Sequence, residues 1–130
     1  MSRQRIELEY LLKASPAILY EFFTEPSYLT RWFCDEVDVR EGEEGKSYVF
    51  VWSGSEEIAT LYEEEHPHFV RFRWEDAEDE EEYLEFRMSK SPITGETILE
   101  ITEFCDEDEV EDQTQFWNSL VEKLRRQAGG

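Results

Sequence analysis

Two proline-opened amphipathic segments, set back to back near the start of the chain, restrict its fold more than any other feature. Ser15-Pro16-Ala17-Ile18-Leu19-Tyr20-Glu21-Phe22-Phe23 is followed at once by Glu25-Pro26-Ser27-Tyr28-Leu29-Thr30-Arg31-Trp32-Phe33. Proline suits the first turn of a helix, where its missing N–H would have had no intrahelical partner. Ser15 is the expected cap of the first helix, and Thr24 or Glu25 of the second. Leu19, Phe22 and Phe23, then Leu29, Trp32 and Phe33, give each helix one apolar face.

Strands surround this pair. Arg5 to Leu12 alternates, with Ile6, Leu8, Tyr10 and Leu12 on one side, so a half-buried strand precedes the helices. Six more follow: Cys34 to Arg40, Ser47 to Ser53, Glu57 to Glu64, Phe69 to Glu75, Tyr83 to Lys90 and Glu96 to Phe104. Turn chemistry separates them at Gly42 to Gly45, Gly54-Ser55, His66-Pro67-His68 and Pro92 to Gly95. Glu75 to Glu82 is almost purely acidic and reads as a solvated loop. Asp106 to Ala128 is the terminal helix. Its acids sit at the start and its bases at the end, and Trp117, Leu120, Val121 and Leu124 form one apolar stripe. The order predicts an α+β chain, one domain over residues 1–130, with a strongly curved antiparallel sheet of seven strands.

The thirteen Lys and Arg against thirty-three Asp and Glu give a formal charge of −20. Such a field repels phosphate backbones and anionic membranes, which sets nucleic acid aside as a partner class. It either attracts a basic protein partner or simply keeps the chain dissolved, the second being the preferred reading. No apolar run reaches the roughly 20 residues that span a bilayer, and no signal-peptide core follows the start, which sets the expectation of a cytoplasmic chain without membrane insertion. Cys34 and Cys105 read as reduced core thiols. His66 and His68 flank a proline in a turn with no third ligand in sight, so no metal site is expected. Neither a phosphate-cradling loop nor a nucleophile elbow is present, so no cofactor and no catalytic residue is assigned.

Two groups of side chains remain as candidates. Tyr48, Phe50, Trp52, Phe72, Trp74, Phe86 and Trp117 either line an apolar pocket or fill the core. Arg71, Arg73 and Arg87 lie in mid-strand, where a guanidinium either reaches an anionic head group at a cavity mouth or faces outward to pair with acids such as Glu85. Val70, Phe72 and Trp74 claim the opposite face of their strand as the inner one, which favours the outward placement.

Taken in this order, the segments resemble the START-like, or SRPBCC, superfamily, and within it the branch of homologues of the activator of the heat-shock chaperone ATPase. The resemblance rests on Ser15 to Thr24, Leu29-Thr30-Arg31-Trp32, Phe69 to Trp74, Gly95 to Thr102, and Trp117 with Val121 and Leu124. It implies a helix-grip fold, in which the curved sheet wraps the C-terminal helix around an interior cavity. Relatives hold lipids, sterols, polyketides or plant hormones there, and a few perform cyclase, hydrolase or lyase chemistry. Where relatives commonly carry Gly before the helix Trp, this chain has Phe116, whose ring either enters the hollow or packs on its rim. The expected function is a non-enzymatic module binding a small hydrophobic or amphipathic ligand. The expected lining is Trp32, Tyr48, Phe50, Trp52, Phe72, Trp74, Phe86, Phe116, Trp117 and Leu120, with Arg71, Arg73 and Arg87 as anionic head-group contacts. A chaperone-associated interaction protein and a polyketide cyclase-like enzyme are the alternatives. Oligomeric state is left open.

Overall fold

The computed structural model describes residues 2–129. Strand β1 (Arg3–Leu12) leads into helices α1 (Pro16–Thr24) and α2 (Pro26–Leu29), then β2 (Glu36–Glu41), β3 (Lys46–Trp52), β4 (Ser55–Glu65), β5 (Phe69–Trp74), β6 (Leu84–Lys90), β7 (Thr97–Asp106) and α3 (Val110–Ala128). The strands form one curved antiparallel sheet in the order β1-β7-β6-β5-β4-β3-β2. Successive strands pair as hairpins. The exception is β1, which crosses over to lie along β7, from Arg3 opposite Asp106 to Leu12 opposite Thr97.

Local chemistry accounts for the helices. Ser15 caps α1, its side chain accepting from the Ile18 N–H. Helix α2 is shorter than the apolar spacing predicts. It ends at Leu29, and Trp32 and Phe33 are delivered by the turns after it, both buried. The terminal helix also begins later than expected: β7 runs on to Asp106, and a 3-10 turn over Glu107–Glu109 bridges to α3. Gly129 closes α3 in the left-handed region at φ 90°, its N–H bonded to the Arg125 carbonyl.

Helix α3 lies in the concave palm of the sheet through Trp117, Leu120, Val121 and Leu124, all buried. Burying each is worth about 1.5–3 kcal/mol, enough to fix the helix against the sheet. Phe86 is the hub of the core. Its ring stacks on Phe23 at 4.2 Å and 2°, and meets Trp117 edge-on at 5.8 Å. Trp32, Phe33 and Phe72 surround it at 6.1 to 6.4 Å. Polar atoms on the buried rings have partners: Trp32 donates to the Phe22 carbonyl at 2.8 Å, and Tyr48 to that of Thr24 at 2.8 Å. Cys34 and Cys105 are free and buried.

The acidic stretch before β6 corrects one expectation. Glu82 is not solvated but 8% exposed. The Arg3 guanidinium donates to both of its oxygens, at 2.9 and 2.7 Å, and also reaches Asp106 at 2.9 Å. A bidentate fork is what makes a buried carboxylate tolerable, and here it comes from a residue 79 positions away.

Candidate functional site

The aromatic face does not enclose an empty hall. Tyr48, Phe50, Phe72 and Phe86 are 2% exposed or less and, with Trp32 and Leu120, pack into solid core. The available space lies at one end of that core, where the first turns of α3 pass over the β3–β4 hairpin. There a pocket of about 540 Å³ is lined by Phe33, Trp52, Ser55, Glu57, Trp74, Asp76, Glu103, Gln113, Phe116 and Trp117. Of the expected lining residues, Trp52, Trp74, Phe116 and Trp117 are on its wall. Phe116 is 48% exposed with its ring 6.1 Å from that of Trp117, so it packs on the rim. Phe33 stands 5.2 Å from Trp52 at 74°, and Trp52 lies 6.3 Å from Trp74 at 51°.

Sequence reasoning missed the carboxylates of this wall. Along β7 the inner face reads Thr97, Leu99, Ile101, Glu103, Cys105, all buried. Glu103 therefore occupies an apolar slot of a period-two pattern, a signal present in the sequence but lost among thirty-three acids. Gln113 Nε2 donates to its Oε2 at 3.0 Å, and Trp117 Nε1 donates to the same oxygen at 2.5 Å. Glu57 continues the inner row of Ala59 and Leu61 on β4 and stands opposite Phe50. Its carboxyl is raised above the ordinary value by burial and by the nearby charge of Asp76. Asp76 itself comes from the loop after β5. The wall thus joins apolar surface to ionisable groups, the minimum that proton-transfer chemistry also requires.

Burial pushes the Glu103 carboxyl above its ordinary value of 4.5, while the bonds from Gln113, Trp117 and Trp74 and the charge of Arg3 pull it back only in part. In the unfolded chain this group ionises near 4.5, whereas the folded protein holds the proton to higher pH. Its contribution to stability is therefore full below 4.5 and falls as pH rises above that value. Glu103→Gln is neutral at every pH and keeps an acceptor for Trp117. Relative to the parent it is expected to gain stability as pH rises above 4.5, until the folded-state carboxyl has itself ionised. Urea denaturation of both proteins at several pH values checks this, and a parallel pair of curves would refute it.

Arg71, Arg73 and Arg87 are not at the mouth of this pocket. They stand on the opposite, outer face, which corrects their assignment as head-group contacts. Arg71 bonds Glu85 at 2.6 Å and Glu63 at 2.8 Å, and Arg87 bonds Glu85 at 3.2 Å. Arg73 lies 4.2 Å over the Tyr62 ring. Burial alone would raise the Glu85 carboxyl, but Arg87 and Arg71 outweigh it and hold the group below its ordinary value. A depression of about 560 Å³ lies on this face, where Arg5 is paired with Glu7, and Arg71 and Arg87 with Glu85. His66 packs edge-on against Tyr20 at 4.6 Å in the turn between β4 and β5. No helix of the described residues is long and apolar enough to cross a membrane.

Comparison with known proteins fits this geometry. The family model described as "START-like superfamily domain" matches residues 1–130. A Bacteroides fragilis protein solved by NMR is 35% identical, with 98% of this chain and 92% of that one covered and a TM-score of 0.64. The Aha1 dimer of Colwellia psychrerythraea has the same fold at 17% identity, with 96% of each chain covered and a TM-score of 0.79. DynU16, a protein of the dynemicin biosynthetic locus, is 16% identical with a TM-score of 0.75, covering 94% of this chain and 46% of its own. No curated protein matches the chain.

Proposed function

From the premise that the chain belongs to the START-like superfamily, we propose that it is a non-enzymatic binding module for a small hydrophobic or amphipathic ligand, seated in the pocket under the first turns of α3. The observation carrying this reading is the aromatic wall of Trp52, Trp74, Phe116 and Trp117 around about 540 Å³. That volume falls in the range of roughly 300–1,000 Å³ typical of ligand sites, and a few polar groups converge on it as such sites require. The solid core beneath gives the wall a rigid support, which limits the ordering entropy lost on binding.

Three tryptophans on the wall, Trp52, Trp74 and Trp117, make binding visible by fluorescence. Titration with the neutral probe N-phenyl-1-naphthylamine is expected to saturate at one molecule per chain. Ser55→Trp places a bulky ring in the pocket at an exposed strand end and is expected to weaken the probe at least about fivefold, close to 1 kcal/mol. Native mass spectrometry of gently purified protein offers an independent readout. Absence of saturable binding, or equal binding by the Ser55→Trp variant, would remove the pocket from consideration.

The likeness to the Aha1 dimer, together with the charge of −20, supports a second reading as an interaction protein of chaperone type. It requires association with a basic protein surface that weakens as salt rises. A low-salt pull-down that enriches no chaperone ATPase would dismiss it.

A further inference from the structure

We propose that the pocket under α3 selects organic cations, amphipathic molecules whose head is an ammonium and above all a quaternary ammonium group. This deepens the binding-module reading and rests on it. The wall combines two features that both attract positive charge. The first is the set of rings. Phe33 and Trp52 meet at 74°, Trp52 and Trp74 at 51°, and Phe116 and Trp117 at 70°, so the rings enclose the space from several directions instead of stacking into a slab. Trp52 and Trp74 are only half-buried and Phe116 is largely open, which leaves their surfaces available. The negative face of an indole holds a cation within about 6 Å of its centroid, best when the cation is weakly hydrated, as an alkylated ammonium is.

The second feature is the set of carboxylates. Glu57, Asp76 and Glu103 share the wall, and no lysine, arginine or histidine is among the residues lining it. Glu103 is nine-tenths buried and fixed by Gln113 and Trp117, so its position is set before any ligand arrives. The guanidinium of Arg3, whose charge reaches Glu103, is already engaged by Glu82 and Asp106. An anionic head would face three acids with no base to offset them. A neutral head would leave the acids unused. A cation satisfies rings and acids together, and the chain's charge of −20 draws it in, most strongly at low ionic strength.

The test uses three benzyl compounds with the full chain: benzyltrimethylammonium, its neutral isostere neopentylbenzene, and phenylmethanesulfonate. Calorimetry or tryptophan quenching reads the affinities. The cation is expected to bind at least about tenfold tighter than the neutral isostere, with the sulfonate weakest. Raising salt to about 0.5 M should weaken the cation and leave the isostere unchanged. Glu57→Gln, at an exposed position, should cost the cation about threefold or more and the isostere nothing. Equal affinities for cation and isostere, or a cation indifferent to Glu57→Gln, would overturn the charge selectivity while leaving the binding module standing. Failure of all three compounds to bind would overturn both.

Discussion

Trp117→Ala is expected to lower the free energy of unfolding by about 3–5 kcal/mol, the range for deleting a large buried aromatic side chain. Trp117 is 1% exposed and heads the set of largest fully buried side chains. Its ring lies 6.1 Å from Phe33 and 5.8 Å from Phe86, joining α3 to the hub of the core. Truncation also removes the indole N–H that Glu103 accepts from, leaving a buried carboxyl with one donor fewer. The resulting cavity would merge with the existing pocket and admit water. Phe116→Ala, one position earlier but 48% exposed, is expected to lose less than about 1 kcal/mol. Urea denaturation followed by far-UV circular dichroism measures both. Comparable losses at the two positions would contradict the packing described.

Gly45→Ala is expected to destabilise by about 3 kcal/mol or more, by a wholly different route. Gly45 closes the turn between β2 and β3 at φ 137°, a conformation side-chain-bearing residues rarely adopt. A Cβ there would stand 2.1 Å from the Leu61 carbonyl oxygen. That oxygen is backbone, and Leu61 is the register partner of Lys46, so relief would require breaking the end of the β3–β4 ladder. Gly54 and Gly95 provide the comparison. Each has positive φ but nothing within 4 Å of an added Cβ, so alanine there is expected to lose only about 1 kcal/mol. Thermal unfolding of the three variants checks the ranking, and a mild Gly45→Ala would refute the close approach.

The elements whose cause is local were legible in the sequence. Ser15 before Pro16 marks the start of α1, period-two alternation marks the strands, and the Trp117 stripe marks the face of α3 that meets the sheet. The outward placement of Arg71 and Arg73 was readable from Val70, Phe72 and Trp74 claiming the other side. Features fixed by distant partners were not. Glu82 sits in an acidic run and is buried only because Arg3 on β1 reaches it. Trp32 and Phe33 keep their apolar duty but lose their helix, since α2 stops after four residues. The pocket was the least legible part. Its place depends on how α3 passes over the β3–β4 hairpin, which decides that Phe33 and Glu57 reach the wall while Phe50 and Phe72 stay beneath it. Glu103 was in principle visible as a lone acid in an apolar alternation.

The pairing of β1 with β7 carries a consequence for synthesis. Arg3 and Asp106 are separated by 103 positions, yet they share one ladder and a hydrogen bond. As the ribosome releases the chain, β1 emerges with its partner still unmade, and its edge waits through the translation of every other strand. Closure of the sheet is thus a late event, and until β7 appears the edge of β1 stays open to pairing with other chains.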